Sequence, residues 1–204
     1  MFVLVCAAAT IIACRGAFAL SNEDKTQVEV HNDSRRLLFS NQTFYLLYRN
    51  VKSDSDFGGE APCAQIRHIE GLEKRRNVSV LGMEFYIHER RGHINQHYVV
   101  LTPNKSRAIS PHDDAMALLT LASPFRPETH YHLLFTDYMS CFTVRRPLDD
   151  VYQVWAIGRP SLTNKYENCH SAYKQHSDIP GCSVERPRYD VFNDTLCCRQ
   201  RRIE

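Results

Sequence analysis

Short apolar runs separated by polar, turn-rich breaks fill most of the chain. A polar stretch at 20–36 reads as a frayed segment or a short helix, and Thr43–Arg49 (TFYLLYR) then has the aromatic, apolar composition of a strand. Residues 51–62 carry Asp54, Asp56, Gly58, Gly59 and Pro62 and predict a loop, after which Cys63–Glu70 resumes a strand. A charged turn at 72–77 leads into Val78–Glu89, where Leu81, Met83, Phe85 and Ile87 alternate on one face and leave Glu84 on the other, toward solvent. Arg91-Gly92 turns the chain into Gln96–Thr102. Ala115–Ala122 (AMALLTLA) has a helical composition, but its length and the flanking Pro111 and Pro124 favour a strand. Thr129–Tyr138, Ser140–Arg146 and Val151–Gly158 read as three consecutive strands, Asn168–His176 as one short amphipathic helix, and Tyr189–Asn193 as a last short strand. Many short strands at regular spacing with one late helix predict an all-β barrel rather than an α/β fold. Eight strands suffice to close such a barrel around one small ligand.

The start of the chain changes the picture of its compartment. Met1–Ala13 is an apolar run, followed by Arg15, Gly16 and Ala17-Phe18-Ala19. An apolar core ending in an A-x-A site predicts a signal peptide over 1–19 and a secreted, extracellular protein. Cys6 and Cys14 would leave with it, and the even set that remains, Cys63, Cys141, Cys169, Cys182, Cys197 and Cys198, predicts disulfides. Spacing alone leaves the connectivity open, although the adjacent Cys197 and Cys198 should bond different partners. The sequons at Asn32, Asn41, Asn77, Asn104 and Asn193 are candidate glycosylation sites.

Charge excludes more than it suggests. With 25 Lys+Arg against 23 Asp+Glu, there is no excess to favour nucleic acid or an acidic membrane as partner. The basic clusters Lys74–Arg76 and Arg199–Arg202 read as a solvated turn and a chain end. No catalytic set emerges. His88-Glu89-Arg90-Arg91-Gly92-His93 has the flavour of a zinc-protease H-E-x-x-H, but its histidines are one residue too far apart to share a helix face. His130 and His132 share a strand face opposite Tyr131, Leu133 and Phe135, and are expected to face water rather than a metal. No G-x-S-x-G elbow is present. The expectation is a monomeric binding protein, not an enzyme, with no cofactor and no metal.

Four local signatures in order carry a resemblance. They are Phe44-Tyr45-Leu46-Leu47-Tyr48 before an Asp/Gly loop and Cys63; Phe135-Thr-Asp137-Tyr138-Met-Ser140-Cys141; Tyr152-Gln153-Val154-Trp155; and Asn168-Cys169 with Ala172-Tyr173, then Asp190-Val191-Phe192 and a terminal Cys. The set resembles the tick salivary lipocalins, the family of histamine-binding proteins, over about residues 40–198. The resemblance implies an eight-stranded antiparallel lipocalin barrel with one C-terminal α-helix packed outside, spanning 41–204 after a polar segment at 20–40. It implies a Cys141–Cys169 bridge and a second from Cys63 to Cys197 or Cys198, with Cys182 taking the remaining partner. The implied activity is capture of a small host mediator, a biogenic amine or a lipid. The alternative is a barrel scaffold whose loops, 51–62 or 103–114, inhibit a host immune protein.

The same resemblance points to ligand residues. Amine-binding members hold an acid two residues before the Trp of the last strand, where this chain has Gln153. In the loop before Cys63, Val51 stands at a Tyr position, Asp54 keeps the acid, and Phe57 falls at an aromatic position. Period two puts Gln153, Trp155 and Ile157 on one face, taken to point inward. The expected ligand set is therefore Trp155, Gln153, Asp54, Phe57 and Tyr48. Loss of one acid tilts it toward a less charged ligand, with Trp155 as simple barrel core the competing reading.

Overall fold

Residues 32–68, 79–86, 94–121, 127–161, 166–177 and 186–197 are described by a computed structural model, with only the backbone for His68, 79–86 and 94–97. The predicted signal peptide, Cys182, Cys198, the Asn77 sequon, the His88–His93 run and both basic clusters lie outside the described residues, as do the side chains expected to alternate along 81–87.

Among the described residues, nine strands follow the order predicted from the chain: β1 Phe44–Arg49, β2 Gln65–His68, β3 Ser79–Tyr86, β4 Ile94–Asn104, β5 Ala115–Thr120, β6 Thr129–Thr136, β7 Cys141–Arg146, β8 Val151–Ile157 and β9 Tyr189–Asp190. The ambiguous AMALLTLA run is a strand, paired through Leu118 and Leu119 with β4 and through Met116 with Tyr131 of β6. Every neighbouring pair is antiparallel, and β1 bonds both β8 and β2, so the first eight strands close on themselves. β9 extends the pairing of β1 where β2 stops, through Tyr48↔Asp190 and Arg49↔Tyr189. Closure removes the free edges that an open sheet would leave.

Helix α1, Ser34–Leu38, precedes the barrel; Asp33 caps it by accepting from the Arg36 N–H at 3.2 Å. Its Leu37 and Leu38 are fully buried in the interior apolar cluster. The helix is tied to the turns at one barrel end, with Ser34 N–H donating to the Asp113 carbonyl at 2.6 Å and the Tyr138 hydroxyl accepting from Asp33 N–H at 2.8 Å. Helix α2, Glu167–Ser177, packs outside on β6, β7 and β8. Its buried Cys169, Ala172 and Tyr173 fall at helical spacing, and Cys169 and Tyr173 join Tyr48, Tyr152 and Val154 in a second apolar cluster. β8 is therefore buried on both faces, which is why VYQVWAI lacks polar alternation. A single turn, α3 Asp194–Cys197, ends the described chain. None of these helices is long and apolar enough to cross a membrane.

Among the described residues two bridges are formed, Cys141–Cys169 and Cys63–Cys197. The open choice between Cys197 and Cys198 thus falls to Cys197. Cys141 is presented by a tight turn built on Asp137, whose Oδ1 accepts the N–H groups of Met139, Ser140 and Cys141 at 3.0, 2.7 and 3.0 Å. Burial alone would raise the Asp137 carboxyl, but the hydrogen bonds from Ser140, Cys141 and Met139 outweigh it and hold it below its ordinary value of 3.8. The stability this confers is complete above that value and is lost as pH falls through the lowered folded one. Asp137→Asn is expected to cost about 1–3 kcal/mol at neutral pH. In urea titrations the gap between wild type and variant should close at acid pH; a gap that persists there would mean the turn does not depend on the carboxylate.

Candidate functional site

Two β-bulges decide which side chains face the interior. Along β1, Phe44, Leu46 and Arg49 pair with Ile157, Trp155 and Gln153, while Tyr48 pairs with Val154. The register shifts between Leu46 and Tyr48, so Leu47 is the inserted residue and the inward set changes parity after it. Arg49 turns in and Tyr48 turns out. The same happens in β6, where the shift between Leu133 and Phe135 keeps Tyr131 and Leu133 inside and sends Phe135 toward α2.

Tyr48 therefore does not join the other expected ligand residues. Its hydroxyl shares a hydrogen bond with His170 Nδ1 at 2.8 Å, and its ring meets Tyr173 edge-on at 5.2 Å. Arg188 lies 3.9 Å above the ring. Burial pushes the Tyr48 phenol well up, with the nearby Arg188 charge opposing. The residue borders a cleft of about 440 Å³ on the outer surface.

Trp155, Gln153, Asp54 and Phe57 do converge in the interior. Loop 50–62 folds inward because Asp54 caps a short 3-10 turn, Ser55–Phe57, accepting from Asp56 N–H at 3.0 Å. Gly58 and Gly59 then take left-handed φ values of 81° and 66°, which glycine adopts without steric cost. The loop closes by paired backbone bonds between Asp54 and Gly59, at 3.1 and 2.7 Å. This drives Asp56 and Phe57 into the barrel. Phe57 lies edge-on to Trp155 at 4.9 Å and tilted against Tyr131 at 5.7 Å, while Trp155 stacks on Phe142 at 5.9 Å.

A continuous hydrogen-bonded chain runs below these rings. Trp155 Nε1 donates to Gln153 Oε1 at 2.9 Å, and Gln153 Nε2 donates to Asp54 Oδ2 at 2.6 Å. Arg146, the last residue of β7, sends Nη1 to Asp54 Oδ1 and Asp56 Oδ2, both at 2.8 Å, and to the Tyr131 hydroxyl at 2.9 Å. Tyr131 in turn donates to Asp56 Oδ2 at 2.8 Å. On its other side the guanidinium grips the half-exposed Asp149 with Nε at 2.7 Å and Nη2 at 2.8 Å. Burial would weaken the charge on Arg146, but Asp149, Tyr131 and Asp54 outweigh it and hold the group cationic. Burial pushes the Tyr131 phenol far up, reinforced by the two aspartates.

A second cation is buried beside this cluster. Arg49 is 1% exposed; its Nη2 donates to the carbonyls of Lys52 and Gly59, while Nε and Nη1 have no hydrogen-bond partner among the described residues. Burial lowers its pKa, and the Asp54 charge opposes that shift.

Asp56, Tyr131, Arg49 and Arg146 were not among the expected site residues. The signals were the D-x-D spacing of Asp54 and Asp56 and an arginine closing each of two apolar strands, TFYLLYR and CFTVRR. Of the sequons, Asn41 and Asn193 are exposed, Asn193 capping α3 by accepting from Leu196 N–H at 3.2 Å, whereas the half-buried Asn104 of β4 pairs with Ala115 of β5.

Among the described residues, the core around Trp155 is close-packed. Leu38, Phe44, Ile66, Leu101, Met116 and Val144 complete an apolar lining around about 20 Å³ of free space, room for one water. Trp155 packs as core here, and a ligand seated against it would displace neighbouring side chains.

Residues 21–199 match the family model described as tick histamine binding protein. No curated protein matches the chain. Among solved structures, AM182 in complex with serotonin is 16% identical with a TM-score of 0.56, covering 81% of this chain and 92% of its own. Japanin from Rhipicephalus appendiculatus bound to cholesterol is 10% identical with a TM-score of 0.53, covering 78% and 97%. Lobster apocrustacyanin A1 is 12% identical with a TM-score of 0.52, covering 83% and 86%. At these identities the likeness establishes the lipocalin fold. The family match establishes more: this chain belongs to the tick histamine-binding protein family, which consists of binding proteins rather than enzymes.

Proposed function

We propose that the protein is a secreted lipocalin that captures a small amine-bearing mediator inside its barrel, stoichiometrically and without chemistry. The observation that carries this reading is the convergence of three oxygens, from Asp54, Asp56 and the Tyr131 hydroxyl, on one nitrogen position within 2.9 Å. Two carboxylates there offset the several kcal/mol that a buried ammonium loses with its hydration. Phe57 and Tyr131 meet beside that position, and Phe57 packs on Trp155. Such aromatic faces add about 0.5–2 kcal/mol per cation contact. The relatives' ligands, serotonin for AM182 and cholesterol for japanin, bracket the choice between amine and lipid. Secretion fits the apolar leader and the disulfides, and the exposed Asn41 and Asn193 are the sequons best placed for a glycan.

Entry requires that loop 50–62 lift and that the interior rings separate. Trp155 is the only tryptophan, so its fluorescence reports the site directly. Titration of the mature, oxidised protein with histamine, serotonin and a sterol and fatty-acid panel should give amine binding that perturbs Trp155. Lipid-only binding would overturn the amine reading. Binding of none would favour the scaffold alternative, which the close packing around Trp155 and the 87% exposed Ile109 of loop 105–114 support.

A further inference from the structure

The amine position is already taken by the protein itself. We propose that Arg146 is a built-in competitor for the cation site, and that ligand enters by exchanging its ammonium for the Arg146 guanidinium. The inference rests on the amine reading above and names what sets its selectivity.

The hydrogen-bond count at Nη1 is the first argument. This nitrogen carries two hydrogens, yet three oxygens surround it at 2.8, 2.8 and 2.9 Å. One of the three bonds must be shared. A primary ammonium carries three hydrogens and satisfies all three acceptors at once. The cage thus matches an ammonium better than the guanidinium arm that fills it.

The second argument is where Arg146 can go. Nε and Nη2 are held by both oxygens of Asp149, which is 48% exposed in the turn after β7. Rotation about that outer pair withdraws Nη1 from the cage and leaves the charge paired and hydrated. The movement needs side-chain torsions alone, with the Arg146 main chain staying paired with Val151 of β8.

Charge balance supplies the third argument. Removing Arg146 alone would leave Asp54 and Asp56 buried without the cation they share. Only another cation restores neutrality, so a sterol or other neutral ligand cannot complete the exchange. A quaternary ammonium restores the charge but donates no hydrogen bonds. The selectivity that follows is for primary amines on an aromatic body, with N-trimethylated and neutral analogues rejected.

The test compares wild type with Arg146→Ala, Arg146→Gln and the double variant Arg146→Ala/Asp54→Asn, using phenethylamine, its N,N,N-trimethyl derivative and histamine as probes. Trp155 fluorescence and thermal unfolding are the readouts. Removing the competitor should tighten phenethylamine binding by roughly tenfold or more, because the cage is then always open. Phenethylamine should also raise the melting temperature of Arg146→Ala far more than that of wild type, and should restore folding if the alanine variant does not fold alone. The Asp54→Asn change should abolish that gain, and the trimethyl probe should bind weakly throughout. Wild-type binding with no gain in folded Arg146→Ala or Arg146→Gln overturns the competitor and leaves amine capture standing. Gain in the variants without measurable wild-type binding supports the competitor and overturns amine capture by the native chain. No binding in any folded variant overturns both.

Discussion

Asp54→Ala should destabilise the protein by about 3–5 kcal/mol, the range expected when a buried ion pair loses one partner. For a domain of this size that corresponds to a fall in Tm of roughly 10 °C. The residue is fully buried and serves three groups: it accepts from Arg146 Nη1 at 2.8 Å, from Gln153 Nε2 at 2.6 Å, and from the Asp56 N–H at 3.0 Å. Alanine leaves Gln153 Nε2 and the Asp56 N–H without their acceptor beside a space that holds one water, and takes from Arg146 one of its buried counter-ions. The buried charge balance shifts as well, since Arg146 and Arg49 would then face Asp56 as their buried counter-ion. Asp54→Asn keeps an acceptor and should cost clearly less, so the difference between the two variants isolates the charge. Urea unfolding followed by Trp155 emission measures both. A loss under about 1 kcal/mol for alanine would mean that Asp149 alone holds the guanidinium and that the network is not the keystone of the interior.

Fold and site differ in how much of them the chain reveals. Strand positions depend on local composition, so TFYLLYR, AMALLTLA and VYQVWAI lie within a residue or two of the strands observed. Inward and outward assignment depends on unbroken alternation. It succeeds for β8, which has no bulge, and places Gln153, Trp155 and Ile157 inside as expected. It fails for Tyr48, because an inserted Leu47 looks like any other leucine in an apolar strand. The arginines were hidden for a different reason. An arginine at the end of a strand is normally solvated, and only a buried carboxylate from elsewhere in the chain calls it inward. Arg146 meets Asp54 across 92 residues of sequence. The useful question was which cation neutralises Asp54 and Asp56 once loop 50–62 is read as folding over the barrel. Gln153 shows the same limit from the other side. Its loss of charge relative to the amine-binding pattern is legible, but its work as the link between Trp155 and Asp54 is visible only when both neighbours are placed.

Removing the Cys63–Cys197 bridge should cost about 5 kcal/mol on the loop-entropy model, because it closes a span of 134 residues. The bridge does more than shorten the unfolded chain. It anchors the tail that secures the β1 bulge: the Leu47 carbonyl accepts the N–H groups of Val191 and Phe192 at 2.9 and 3.2 Å, and Cys63 N–H donates to the Val191 carbonyl at 3.0 Å. The inserted residue thus has its backbone bonds supplied by the tail, and the tail is held by the disulfide. Without it, β9 and Val191 lose their tether, and nothing local in FYLLYR prevents the strand from sliding back to unbroken alternation. That slip would put Tyr48 inside and turn Arg49 out, undoing the parity on which the buried charge cluster depends. The expected result for Cys63→Ala/Cys197→Ala is therefore a large stability loss together with a changed environment of Trp155, which pairs with Leu46 at the bulge. The Cys141–Cys169 bridge closes a span of only 28 residues and ties β7 to α2 on the outside of the barrel, so Cys141→Ala/Cys169→Ala should cost less, about 3–4 kcal/mol, with Trp155 emission unchanged. Unfolding curves of the two double variants, with near-ultraviolet circular dichroism of each folded form, separate the two roles. Equal losses with an unaltered Trp155 signal in both would show that the Cys63 bridge acts on the unfolded chain alone and that the bulge holds itself.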